Sequence, residues 1–226
     1  MMKEIKMFKT ETHLHTKESS NCGWIYAEKM VELYYQKGYT TIFISDHFDE
    51  VNLEKFGDIS WEEKIDKYFS GYNNAKNAAQ KYGMNILFSP EVGFKDYPNH
   101  HLCIGLTPGL LKSHPDFLDM NRNSFYKLMH ENGVFVVQAH PFRANCFPDY
   151  MRADALEIRN CNQRHFVESD EKRTLKVAEE FGLPVTAGSD AHRTEDIGLS
   201  GIMTEKPITT EKEYIETIKN GTLVLI

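Results

Sequence analysis

Gly38-Tyr39-Thr40-Thr41-Ile42-Phe43-Ile44-Ser45-Asp46-His47 carries the plan of the whole chain. A glycine opens it, β-branched and aromatic residues follow, and serine, aspartate and histidine close it. The glycine suits a position just past a helix end, where a left-handed backbone resists most side chains. The apolar run is short and β-rich, which reads as a strand buried on both faces. Upstream, Ala27, Met30, Val31 and Tyr34 recur at helical spacing on one face.

The same order repeats along the chain. Gly83 precedes Met84 to Phe88, Gly133 precedes Val134 to Val137, Gly182 precedes Leu183 to Ala187, and Gly221 precedes Thr222 to Ile226. A second helical face joins Trp61, Ile65, Tyr68, Tyr72, Ala75 and Ala79. Helix alternating with buried strand predicts an α/β fold around a parallel sheet, open or closed into a barrel. The repeat breaks once. Glu91 and the strand near His101 to Leu106 lie too close together for a helical crossover, so an antiparallel step and an irregular sheet are expected there. No linker, low-complexity segment or long charge run interrupts residues 1–226, which are expected to form a single domain.

The composition is that of a soluble globular protein, 41% hydrophobic and 26% charged over 226 residues, enough for a real core. A net charge of −7 repels polyanions, which disfavours nucleic-acid binding through a basic face but leaves room for a local anion pocket. No apolar run approaches a membrane span, and Met1 to Thr10 has no signal-peptide core. Cys22, Cys103, Cys146 and Cys161 are scattered without CxxC spacing, as reduced thiols would be. A cytoplasmic protein with no membrane partner is the expectation.

The residues able to do chemistry gather at strand ends. The first strand, about Ile5 to Thr12, runs out into His13-Leu14-His15, and the second into Ser45-Asp46-His47. The third ends in Ser89-Pro90-Glu91, the Gly133 strand in Gln138-Ala139-His140-Pro141, and the Gly182 strand in Gly188-Ser189-Asp190-Ala191-His192. A lone histidine is commonly a solvated or packed side chain. Several delivered to one rim of a parallel barrel, where such folds place their active sites, are a site. In an extended HxH segment both side chains point the same way and can grip one metal or a close pair. Asp190 and His192 repeat that spacing. Imidazoles mixed with carboxylates suit zinc, manganese or iron, and so many donors exceed the needs of one ion, so two or three divalent ions are expected. Glu91 is suited to bridge them, because a carboxylate has two oxygens.

His13-Leu14-His15-Thr16, Ile44-Ser45-Asp46-His47, Pro90-Glu91, Ala139-His140-Pro141-Phe142-Arg143 and Gly188-Ser189-Asp190-Ala191-His192 resemble the successive motifs of the PHP (polymerase and histidinol phosphatase) superfamily, in family order. The resemblance runs from about Lys9 to Gly198 and implies a distorted (β/α)7 barrel with a two- or three-metal phosphoesterase site. It implies His13, His15, His47, Glu91, His140, Asp190 and His192 as metal ligands, with Glu91 as the bridge. For the strand after Glu91, the family's spacing to Gly105 favours His100 over His101. Where many members carry a further His or Asp after the HxH motif, this chain reads Lys17-Glu18-Ser19-Ser20-Asn21-Cys22. That leaves a missing ligand, a water in its place, or Cys22.

Arg143 is a candidate phosphate fork, since guanidinium matches phosphate oxygens in two-point contacts, with a rim salt bridge as the alternative. Glu157 is expected to support a ligand or the following loop. The function expected is hydrolysis of a small phosphomonoester by metal-activated water, with Glu91, Asp190 and Arg143 at the reacting centre. A nuclease-like phosphodiesterase, an amidohydrolase and a non-catalytic metal-binding protein are the alternatives; the missing basic tract, the short chain and the nearly complete ligand set weigh against them in turn.

Overall fold

The structure, a computed structural model, describes residues 6–162 and 164–226. Ile5, the expected start of the first strand, lies outside the described residues. In chain order the strands are β1 (Phe8–Glu11), β2 (Tyr39–Ile44), β3 (His47–Phe48), β4 (Asn85–Phe88), β5 (Glu91–Phe94), β6 (Tyr97–Ile104), β7 (Phe135–Gln138), β8 (Ala155–Asn160), β9 (Val185–Gly188), β10 (Ile202–Thr204) and β11 (Val224–Leu225). The helices are α1 (Ala27–Gln36), α2 (Glu50–Glu54), α3 (Trp61–Tyr68), α4 (Ser70–Ala79), α5 (Pro108–Lys112), α6 (Arg122–Glu131), α7 (Glu168–Phe181) and α8 (Glu211–Asn220). α7 and α8 end on Gly182 and Gly221, both left-handed at φ 64° and 62°.

The expected distorted (β/α)7 barrel is not one closed ladder. The strands form two sheets, ordered β11-β10-β1-β2-β4 and β3-β5-β6-β7-β8-β9. The division has a local cause. Ser45-Asp46 separates β2 from β3, and Ser89-Pro90 separates β4 from β5; Pro90 has no N–H to give to a ladder. Single hydrogen bonds cross these bends, from Ser89 N–H to the Ile44 carbonyl (3.1 Å) and from Glu91 N–H to the Asp46 carbonyl (3.1 Å). At the other edge one parallel bridge joins Leu14 to Ala191. The antiparallel step expected after Glu91 is present: β6 runs antiparallel to both β5 and β7.

Side-chain alternation along β2 divides the core. Ile42 and Ile44 pack with Leu14, Met30, Val31 and Tyr34 in one cluster. Phe43, on the opposite face, joins Leu87, Leu102, Phe135, Val137 and Tyr214 in another. Each such side chain contributes roughly 1.5–3 kcal/mol on full burial, so the strand ends sit on a stiff platform. The helical face read through Trp61 to Ala79 is split at Phe69 into α3 and α4. Gly71, two residues past the split, packs against the loop after β1. A Cβ on it would lie 2.2 Å from Thr16 Oγ1 and 2.8 Å from Asp46 Oδ2, so only glycine lets α4 come this close to the loop after β1.

Candidate metal centre

Glu91, the first residue of β5, occupies the middle of the rim and is fully buried. Its two oxygens face different partners. Oε1 lies 2.9 Å from His140 Nε2 and 3.0 Å from His100 Nδ1. Oε2 lies 2.9 Å from His47 Nδ1, 3.3 Å from His15 Nε2 and 3.5 Å from His13 Nε2. The second donor centre is Asp190, whose Oδ1 is 3.1 Å from His15 Nε2, 3.5 Å from His13 Nε2 and 3.4 Å from His192 Nδ1. All eight residues singled out from the sequence as ligands thus converge here. His101 does not. It faces the other side of β6, against Tyr97, Phe125 and Tyr126, where burial and the charge of His100 push its imidazole down to about 3.

The site fits divalent cations on three observations. Glu91 Oε2 and His47 Nδ1 are buried without a hydrogen bond although 2.9 Å apart, so both point at one place without satisfying each other. His13 Nε2 and His15 Nε2 face each other at 3.1 Å beside two carboxylates. Among these residues and Cys22 three donor groups lie close enough to share an ion: His13, His15 and Asp190; His47, Glu91 and His100; and His15, Cys22, His47 and His192. Burial works against both carboxylates. Even so, His47, His100 and His13 hold Glu91 well below the usual carboxylate range, and His13 and Arg143 do the same for Asp190.

The surroundings fix the donors. His13 Nδ1 donates to Glu157 Oε1 at 2.9 Å, which leaves Nε2 for the pocket. Glu157 Oε2 accepts the backbone N–H of His140 (3.1 Å) and the Asn160 amide (2.9 Å). Beneath this pair the backbone of Gly188 runs so close that a Cβ would lie 2.6 Å from His13 Cβ. His140 and Asp190 themselves have positive φ, 32° and 50°, a strained state for residues with side chains. Arg143 is hydrogen-bonded to Asp190 and, at 3.1 Å, to Asn160 Oδ1.

Two supporting residues, Glu11 and Asn162, were not singled out in the sequence, and a third, Asp46, was quoted there only as part of a strand-end motif. Glu11 Oε1 accepts the N–H groups of Thr12, His13 and Ser189 at 2.9–3.0 Å, so it ties the HxH segment to β9. Its only sequence mark is a carboxylate at the end of a short strand. Asn162 donates to the Asp190 carbonyl and lies 3.2 Å from His192 Nδ1. Asp46 accepts from Thr16 N–H, Thr16 Oγ1 and Ser20 Oγ at 2.6–2.8 Å, holding the loop after β1; burial still pushes it up to about 6. Glu18, the carboxylate nearest the expected extra ligand position, turns away and accepts the N–H of Ala27 at the start of α1. Arg193 lies 4.0 Å over the Trp24 ring, and Arg164 pairs with Asp196 at 3.1 Å. His114 and His130 are bonded to Leu110 and Asp154, remote from the rim.

Residues 169–223 match the model of the PHP_C family, described as PHP-associated; this stretch includes Asp190 and His192. No curated protein matches the chain in sequence. Among solved structures, the chain is similar to a two-domain protein from Bacteroides vulgatus containing a predicted PHP-like metal-dependent phosphoesterase, with TM-score 0.73 and 15% identity. That match covers 98% of this chain but only 65% of the other. PsfC from Pseudomonas syringae is similar at TM-score 0.68 and 15% identity, over 98% of this chain and 91% of that one. An amidohydrolase from Chromobacterium violaceum, with bound sulfate and no metal, is similar at TM-score 0.57 and 13% identity, over 96% and 97%. At these identities the likeness speaks for the fold. Among the described residues no helix is long and apolar enough to cross a membrane.

Proposed function

We infer that this chain, a member of the PHP superfamily, is a metal-dependent phosphoesterase that hydrolyses a small phosphomonoester. The observation that carries the reading is Glu91, whose two buried oxygens are divided between His100 and His140 on one side and His47, His15 and His13 on the other. A carboxylate so divided would suit two cations. Bound divalent ions would supply a water of lowered pKa and neutralise charge on the phosphate oxygens.

The protein's own groups supply the rest. Glu91, Asp190 and the histidines would hold the cations, and their charge in a pocket of an otherwise acidic chain would draw in a compact anion and disfavour a long polyanion. Arg143, two-point partner of Asp190 and Asn160, stands where a phosphate oxygen can replace one of those contacts. A small alcove beside it is lined by His140, Phe142, Asn160, His165 and Phe166. We also read the two sheets as one distorted seven-stranded barrel; the Leu14–Ala191 bridge and the chain continuity from β2 into β3 and from β4 into β5 support it.

Phosphate release from a panel of small phosphomonoesters, set beside cleavage of single-stranded oligonucleotides, tests the reading. The zinc-, manganese- or iron-loaded chain should release phosphate from the small esters. Faster cleavage of oligonucleotides would favour a nuclease, and no hydrolysis with any of these ions would leave a metal-binding protein without this activity.

A further inference from the structure

The loop between β1 and α1 carries a thiol that lies among three histidines. Cys22, His15, His47 and His192 each offer one donor atom, and all four atoms lie within 4.8 Å of one another. Cys22 is held there from both flanks. On one side Asn21 N–H donates to Asn52 Oδ1 at 2.7 Å, and Asn52 sits in α2, just past His47. On the other, Trp24 N–H donates to the carbonyl of His192 itself at 3.0 Å. The residue is thus tied to the backbone of His192 itself and to α2, the helix that follows His47. Gly23 completes the turn: a Cβ on it would lie 2.4 Å from the Thr16 carbonyl oxygen, so the loop closes only with glycine beside the cysteine. Ser20, two residues before Cys22, is anchored to Asp46 at 2.8 Å and accepts through the same hydroxyl the N–H of His47 at 2.9 Å.

The imidazoles are prepared to match. His192 Nδ1 donates to the Asp190 carbonyl at 2.8 Å, so Nε2 is the nitrogen left for the pocket. Beside His47 the fully buried Glu91 Oε2 has no hydrogen-bond partner. The one carboxylate of the loop, Glu18, is committed to the N-terminus of α1.

We propose that Cys22 is a metal ligand: with His47 and His192 it forms a thiolate-bearing cation site at the open side of the pocket, next to the ions held by Glu91 and Asp190. This rests on the metal-centre reading above. Binding releases the thiol proton to solvent, and the cation takes its place on sulfur. A soft sulfur donor favours zinc or ferrous iron over manganese and magnesium, so this position has a different ion preference from its all-N,O neighbours. A structural cysteine packed in a loop needs neither the paired imidazoles nor the ties from Asn52 and His192.

Cobalt(II) tests the proposal. The chain is stripped with chelator under reducing conditions and titrated with cobalt while bound ions are counted by elemental analysis. The expected result is a near-ultraviolet thiolate-to-cobalt charge-transfer band that is absent in Cys22→Ser, with the remaining ions still bound. Cys22→Asp should retain the ion without the band and shift the zinc-over-manganese preference by about tenfold or more, the scale on which changes around a metal move affinity. A second measurement uses the unmodified sequence: zinc should slow alkylation of Cys22 severalfold, mapped by peptide mass spectrometry, and leave the rate at Cys161 unchanged. Bound cobalt without the band, a band that survives Cys22→Ser, or equal alkylation of Cys22 with and without zinc overturns this proposal alone. A chain that takes up no ion at all overturns the metal-centre reading with it.

Discussion

Glu157 Oε1 receives the Nδ1 proton of His13 at 2.9 Å, while its other oxygen holds the backbone of His140. One carboxylate on β8 therefore sets the ring orientation at the end of β1 and the strained backbone at the end of β7. Glu157→Gln keeps the size but weakens the acceptor toward His13. Metal affinity should fall about 10- to 100-fold with little change in fold, measured by competition with a chromogenic chelator and by circular dichroism. Unchanged affinity would remove Glu157 from the account.

Glu91→Gln should leave the fold in place and cut turnover by orders of magnitude. An amide cannot offer two anionic oxygens to two sets of histidines, so the bound-ion count should fall as well. Steady-state rates and elemental analysis on the same preparation check both. Full activity with full metal content would rule out the bridging role.

The pH dependence follows from opposed shifts. Burial pushes His13 and His47 down, but the surrounding carboxylates carry both well above the ordinary imidazole value of about 6.5. Their contribution to the metal-free fold is complete below that value and is lost as pH rises through the raised folded-state values. Metal binding has the opposite sign, because ions displace those protons. The Tm increase produced by zinc should therefore grow as pH rises from about 6 to 8, a window around the ordinary imidazole value. Thermal scans with and without zinc across that range check it; an increment that shrinks with pH would contradict the assignment.

Arg143→Lys should raise KM, lower kcat, or do both, because an ammonium keeps the charge but loses the planar fork. The structure sharpens the reason. The guanidinium makes its contacts to Asp190 and Asn160 through Nη2 alone, which leaves Nη1 and Nε for phosphate oxygens, and an ammonium has no such second nitrogen. Kinetics indistinguishable from the parent chain would leave phosphate recognition to the cations alone.

Much of this was legible in the sequence, for physical reasons. The glycine, apolar run and polar ending around Gly38 to His47 encode helix end, buried strand and rim in local order, and β2 spans Tyr39–Ile44. HxH spacing on extended backbone likewise fixes which side chains point together, whereas Asp190 of the DxH segment reaches the pocket from left-handed backbone at φ 50°. What depends on distant partners was not readable. The division into two sheets comes from bends at Ser45-Asp46 and Ser89-Pro90, whose effect appears only when the ladders are drawn. The split of α3 from α4 at Phe69 leaves no mark in the helical spacing, and the need for glycine at 71 shows only where α4 meets Thr16 and Asp46. Glu11 is a single carboxylate in sequence; only the fold brings it the N–H of Ser189. Glu18 and Cys22 lie close together in one loop, and only the hydrogen bonds to Ala27, Asn52 and His192 show which of them faces the pocket.

The central claim is that more than one cation, gathered around Glu91, is needed to hydrolyse a phosphate ester. The most direct measurement titrates the stripped chain with zinc, manganese or ferrous ions while phosphate release from a small phosphomonoester and bound ions per chain are followed together. The account predicts no turnover until more than one ion is bound per chain, and none at any loading for Glu91→Gln. Full turnover with at most one bound ion, or hydrolysis that survives chelation, would contradict it.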